Sequence, residues 1–162
     1  MVNHYHVSKP TQTKLFFCLL IGLFLAQFLF ISPRGEFALN DDWVHSDTIK
    51  HWVETSSFRL MPYAGPTFYV PILYGAALTK IFGFSFTLLR ISTLIIGAIS
   101  ILLFFLFLVK LTHRPTLSFI GALTLWLNPI FFNLSFTFMT DIPALLFLML
   151  SIYFFYSAFE TK

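Results

Sequence analysis

Two adjacent carboxylates, Asp41 and Asp42, stand just past a long apolar run and directly before Trp43, in the most polar stretch of the chain, residues 39–52. Adjacent carboxylates at a helix start can accept hydrogen bonds, orient a nucleophile, or remove its proton as a general base. The plain alternative is an N-cap beside a solvated loop acid. Asp141 is the second acidic candidate. It lies between two apolar runs, after Phe138-Met139-Thr140 and before Pro143. An acid in such a place is a functional candidate by default, and its plain alternative is a helix N-cap at a membrane surface. Among the cations, Arg90 stands where an apolar run opens, with Lys80 and Arg59 nearby in sequence. Each could hold a phosphate, and Arg does so best through its planar fork. Lys80 equally suits an interfacial anchor whose stem lies along apolar surface.

Other chemistry is poorly supported. His45 and His51 are six positions apart, off a common helical face, and His4 and His6 lie in a polar tail. No metal site is expected from them. Asn133-Leu134-Ser135 matches a glycosylation sequon but falls at or within an apolar run. No glycine-rich phosphate loop, Ser–His–Asp pattern or HExxH motif occurs. Cys18 is the single cysteine, so no intrachain disulfide can form.

The elements that must position these residues are apolar. Of 162 residues, 57% are hydrophobic and 10% charged, with 23 Phe spread through the apolar runs. A soluble core of this size could not hide so much apolar surface, so lipid must cover part of it. The net charge of +3 is small and scattered, which argues against a nucleic-acid partner. The expected fold is all-α: a polytopic transmembrane helix bundle with an interfacial helix in the first external loop.

Residues 1–14 read as a cytoplasmic tail, with Lys9 and Lys14 before the first apolar run. Residues 15–31 read as an uncleaved anchor helix, ended by Ser32-Pro33-Arg34-Gly35. Residues 42–56 carry His45, Ile49, Trp52 and Val53 at helical spacing on one side, with Asp42, Ser46, Asp47, Lys50 and Glu54 on others. A short helix along the membrane surface is expected there, with Asn40, Asp41 and Asp42 at its start. Residues 61–83 are apolar but interrupted by Pro62, Gly65, Pro66, Pro71, Gly75 and Gly83. They are expected to dip into the membrane or lie along it without crossing. Residues 91–109 form an unbroken apolar helix, and 110–115 a basic turn. A further helix starts at 116, bends near Pro129, and gives way at Thr140-Asp141-Ile142-Pro143 to a last run over 144–159. If 61–83 does not cross, Asp141 falls on the same face as Asp41 and Asp42.

The order of these features resembles the N-terminal part of the integral-membrane, C-type glycosyltransferases, in the bacterial branch related to protein O-mannosyltransferases and lipid A aminoarabinose transferases. The pieces are Asp41-Asp42-Trp43-Val44-His45 after an anchor helix, Gly65-Pro66-Thr67-Phe68-Tyr69 through Ile81-Phe82-Gly83, Arg90-Ile91-Ser92 at a helix start, and Thr140-Asp141-Ile142-Pro143. The resemblance implies a multi-pass protein of the bacterial inner membrane. It would take a sugar from a polyprenyl-phosphate carrier and pass it to an acceptor on the outer face. It implies Asp41 as the base, with Asp42 next, Asp141 supporting the same site, and Arg90 either structural or near the donor phosphate. It names no acceptor and no resident cofactor beyond the lipid-linked donor. Where relatives carry Glu-Lys before the prolines, this chain has Ala64-Gly65. Relatives are several times longer, so residues 15–162 are expected to be the N-terminal portion of the glycosyltransferase domain. Two other classes remain open here: a small non-catalytic multispanning protein, and a transporter piece in which 61–83 lines a path and Asp141 binds a cation.

Overall fold

The computed structural model describes residues 10–62 and 69–160, and no strand occurs among them. The expected elements at 1–9, the Gly65-to-Phe68 part of the Pro-containing motif and the last two residues lie outside the described residues. The helices are α1 (Pro10–Ala26, followed by a 3-10 turn Gln27–Leu29), α2 (Asp42–Thr55), α3 (Tyr69–Phe82), α4 (Phe86–Thr112), α5 (Pro115–Trp126), α6 (Pro129–Ser135) and α7 (Asp141–Glu160).

Among the described residues, three stretches are long and apolar enough to cross a bilayer: Pro10–Leu29, Phe86–Thr112 and Asp141–Phe159. The pair α5 and α6 makes a fourth if taken as one span bent by 65°. That bend follows from Asn128-Pro129. The Asn128 side-chain oxygen accepts the Ile130 and Phe131 amides at 2.9 and 3.2 Å, so it starts a new helix instead of continuing the old one. Proline in the first position of α6 has no amide to lose there.

Residues 61–83 are less broken than their sequence suggests. Pro71 falls in the first turn of α3, where its missing donor costs nothing. Gly75 lies inside the helix for a packing reason. A Cβ there would stand 2.5 Å from Ile49 Cδ1 and 2.8 Å from Phe138 Cζ. Gly83, at φ +86°, ends the helix, with its amide on the Thr79 carbonyl at 2.8 Å. At 14 residues α3 is about 21 Å long, short of the roughly 30 Å hydrocarbon core.

The chain divides into two compact units. One comprises residues 1–32, 98–132 and 145–162. In it Phe16 stacks on Phe119 with ring centroids 4.7 Å apart, and Phe24 lies 6.4 Å from Trp126, so α1 packs on α5 through aromatic rings. Leu20 is the buried residue of α1, while Leu15, Leu19, Leu23 and Leu25 are exposed. An apolar helix with so much uncovered surface suits lipid. Near the end of α4, Lys110 donates to Ser157 at 2.8 Å and faces the rings of Tyr153 and Tyr156.

The other unit comprises residues 33–97 and 133–144. Its core is Ile49 of α2, Ile72 and Ala76 of α3, Leu89 of α4 and Phe138, with Trp52, Val53, Leu60, Tyr74 and Phe84 packed against it. Tyr74 meets Phe138 edge-on at 5.5 Å. All the acidic candidates and Arg90 belong to this unit.

Candidate functional site

The acidic pair is split by its own helix start. Asp41 is the N-cap residue of α2; its side chain makes no capping bond and is exposed. Asp42 is the first helical residue and is 1% exposed. The turn before them is closed from both sides. The Asp42 amide donates to the Leu39 carbonyl at 3.4 Å, and the Leu39 amide donates to Asp42 Oδ1 at 2.8 Å. Asn40, between them, takes φ +57°, a conformation Asn tolerates better than most residues.

Asp42 Oδ2 then accepts the amide of Phe138 at 3.4 Å. One carboxylate therefore joins the start of α2 to the turn that precedes α7. Asp141 begins α7 three residues after Phe138, so its Cα stands at most roughly 11 Å from that of Phe138. Asp141 is exposed, while Ile142 and Pro143 beside it are buried and hold the helix start in place. The structure thus brings the two acidic elements together, with Asp41 and Asp141 open and Asp42 enclosed.

The enclosure has an electrostatic consequence. Burial pushes the Asp42 carboxyl above its ordinary range, the neighbouring Asp41 adds to this, and the Leu39 and Phe138 amides and the Arg90 charge oppose it. His45, one turn further along α2, is buried, and burial holds its imidazole below the ordinary value against the pull of Asp41. The helical spacing placed Asp42 and Ser46 away from the apolar side of α2. Both are buried: the Asp42 carboxylate meets the Phe138 amide, and the Ser46 hydroxyl turns back to the Asp42 carbonyl at 2.8 Å.

Arg90 does not open its helix but is the fifth residue of α4, and it is 2% exposed. Its guanidinium is turned to backbone. Nη1 donates to the carbonyls of Pro33 at 3.0 Å and Gly35 at 3.3 Å, and Nη2 to that of Phe37 at 2.6 Å. Lys80 and Arg59 are exposed, and Lys80 borders a cleft of about 370 Å³ lined also by Trp52, Val53, Leu73 and Ala77. No cluster of three or more metal-ligating side chains exists among the described residues.

Sequence reasoning passed over Glu36. It lies in the loop that leads to the acidic pair and caps α4. Its signal was an acid in a loop whose partner is Ser85, a residue that commonly precedes a helix. Nothing in local sequence links positions so far apart.

This unit gathers the acidic loop residues of a helical membrane protein. Residues 70–162, more than half of the chain, match the family described as dolichyl-phosphate-mannose-protein mannosyltransferase. The chain belongs to that family of membrane glycosyltransferases, and it is an integral membrane protein. Arg90 and Asp141 lie inside the matched region, and Asp41 and Asp42 lie before it. No curated protein and no solved structure matches the chain.

Proposed function

We propose that the chain contributes the acceptor-activating part of a membrane glycosyltransferase that moves a sugar from a polyprenyl-phosphate donor to an acceptor on the external face. The single observation that carries this is the Asp42–Phe138 bond, which holds the Asp41 helix start beside the turn leading to Asp141 while leaving Asp41 exposed. The family description supplies a lipid-phosphate-linked mannose as the first donor to try.

In this reading Asp41 takes the proton of the acceptor hydroxyl or amine. The oxygen or nitrogen then bonds to the anomeric carbon, the bond from that carbon to the phosphate oxygen breaks, and the lipid phosphate leaves with its electron pair. Asp42 acts through the backbone it joins, and Asp141 orients the acceptor from the other side. A buried carboxylate already occupied by two amides is poorly placed to meet an acceptor, whereas an exposed N-cap carboxylate is open to one. Helix α2, polar at its start and carrying Trp43 and Trp52, suits a position along the bilayer surface. The N-terminus is assigned to the cytoplasm by Lys9 and Lys14, and the bacterial inner membrane follows the branch resemblance.

The test uses the full-length protein in membrane vesicles, supplied with dolichyl-phosphate mannose or with a nucleotide-linked mannose. Transfer to endogenous acceptors from the lipid-linked donor alone supports the proposal. Transfer from the nucleotide sugar only, or from neither, contradicts it.

A further inference from the structure

Residues 33–37 form a strap laid against the start of α4, held there by the Glu36 carboxylate, both backbone groups of Gly35 and the carbonyls of Pro33 and Phe37. Glu36 Oε2 accepts the Phe86 amide at 2.9 Å, and Oε1 accepts the Ser85 hydroxyl at 2.7 Å and the Thr87 amide at 3.4 Å. Phe86 and Thr87 are the first two residues of α4, whose amides have no partner inside the helix. Glu36 is therefore a capping carboxylate supplied from 50 positions away along the chain. These bonds hold its carboxyl below the ordinary range. Gly35 is gripped at both backbone groups by Thr87: its amide donates to Thr87 Oγ1 at 3.0 Å, and its carbonyl accepts from that hydroxyl at 3.3 Å. One turn further along α4, Arg90 collects the carbonyls of Pro33, Gly35 and Phe37, and its guanidinium carbon lies 5.4 Å from the centre of the Phe37 ring.

The strap ends two residues before Leu39, whose amide is bound by Asp42. Its position therefore sets where the turn at Leu39–Asp42 begins and where Asp41 is presented. Arg90 is 2% exposed, and the strap carbonyls take up its Nη1 and Nη2 atoms; Nε alone is left without a partner, and it too is buried. A guanidinium whose Nη1 and Nη2 are both directed at backbone carbonyls has its end-on fork occupied, so a phosphate would have to displace the strap to take it.

We infer that Arg90 and Glu36 are positioning residues of the acidic site, not ligands of the donor phosphate: together they fix the strap that sets the position of Asp41. This inference rests on the reading of Asp41 as the reacting acid.

The experiment is steady-state transfer from dolichyl-phosphate mannose by the full-length protein in membranes, for Arg90→Met, Arg90→Lys, Glu36→Ala and Glu36→Gln. Hydrogen exchange is followed in parallel at the amides of residues 35–39. A phosphate ligand lost shows in KM for the donor, whereas a misplaced base shows in kcat. Positioning predicts donor KM within about twofold of wild type and kcat reduced about 10–100-fold in Arg90→Met and Glu36→Ala. The double variant should fall no further than the worse single one, because both release the same strap. Glu36→Gln, which keeps an acceptor, should recover most of the rate, and exchange at 35–39 should quicken in proportion to the loss of kcat. Should the two harsher variants fail to accumulate, Arg90→Lys and Glu36→Gln decide by the same division between KM and kcat. A tenfold or greater rise in donor KM with kcat retained overturns the inference, as does wild-type exchange at 35–39 in a variant with reduced kcat. Exchange is read without any turnover, and an Asp41→Asn control run beside these variants separates failure of the strap from failure of the site.

Discussion

Asp42 Oδ2 accepts the amide of Phe138 at 3.4 Å, across 96 positions of sequence. The same carboxylate binds the Leu39 amide at 2.8 Å. It is a joint between two loops, and this is why two neighbouring acids of one dipeptide end in such different surroundings. Removing the joint leaves two backbone donors to find other partners.

Asp42→Ala should destabilise the protein by about 1–3 kcal/mol, the cost of stranding buried donors. Asp42→Asn, which keeps one carbonyl acceptor, should cost less. Thermal unfolding of the detergent-solubilised protein checks both, and equal effects of the two variants would show that the amide acceptors are not what matters.

Two buried groups of α2 give opposite dependences on pH. Burial holds His45 below its ordinary 6.5, so its contribution to stability is complete above pH 6.5 and is lost as pH falls through the folded value. Burial raises Asp42 above its ordinary 3.8, so its contribution is complete below that value and is lost as pH rises through the folded one. Acidification from pH 7 should therefore weaken the wild type relative to His45→Gln. At more acidic pH, where Asp42 gains its proton, it should strengthen the wild type relative to Asp42→Asn. Unfolding midpoints measured from pH 7 downward for the three proteins provide the check. A wild-type minus His45→Gln difference that stays flat would contradict the burial of His45.

The crossing of α2 over α3 depends on one missing side chain. Gly75→Ala would set a methyl 2.5 Å from Ile49 Cδ1 and 2.8 Å from Phe138 Cζ, and overpacking of this kind costs about 1–3 kcal/mol. Gly22→Ala meets nothing within 4 Å and should be neutral or slightly stabilising. The comparison of the two unfolding midpoints tests whether the helix pair is packed as described.

Asn128→Ala should remove the cap of α6 at a cost of about 0.5–2 kcal/mol. Because Pro129 remains, the bend should persist while its stability falls. A cysteine-accessibility pattern continuous from α5 into α6 in this variant would show that Asn128, and not Pro129, sets the angle.

Much of the helical framework was legible because lipid-facing helices declare themselves by long apolar runs. Helix α2 was placed nearly to the residue, and the bend near Pro129 followed from proline chemistry. Residues 61–83 were harder. Proline and glycine look alike as interruptions in sequence, yet Pro71 lies in a first turn where it is harmless, and Gly75 is there to admit Ile49 and Phe138. The acidic pair was found, but its division was not. Which of two adjacent acids is buried depends on Phe138, almost a hundred residues away. Arg90 drew attention as a cation, while its partners are carbonyls, which have no sequence signature. Glu36 was hidden for the same reason, since its role depends on α4 lying beside it.

In the proposed reaction Asp41 does the chemistry, and Asp42 and the strap hold it in place. The most direct measurement is sugar transfer from dolichyl-phosphate mannose by the full-length protein carrying Asp41→Asn, at wild-type abundance in the membrane. Loss of a general base should lower kcat about 100- to 10,000-fold while leaving the unfolding midpoint and donor KM close to those of wild type. A transfer rate indistinguishable from wild type would contradict the account.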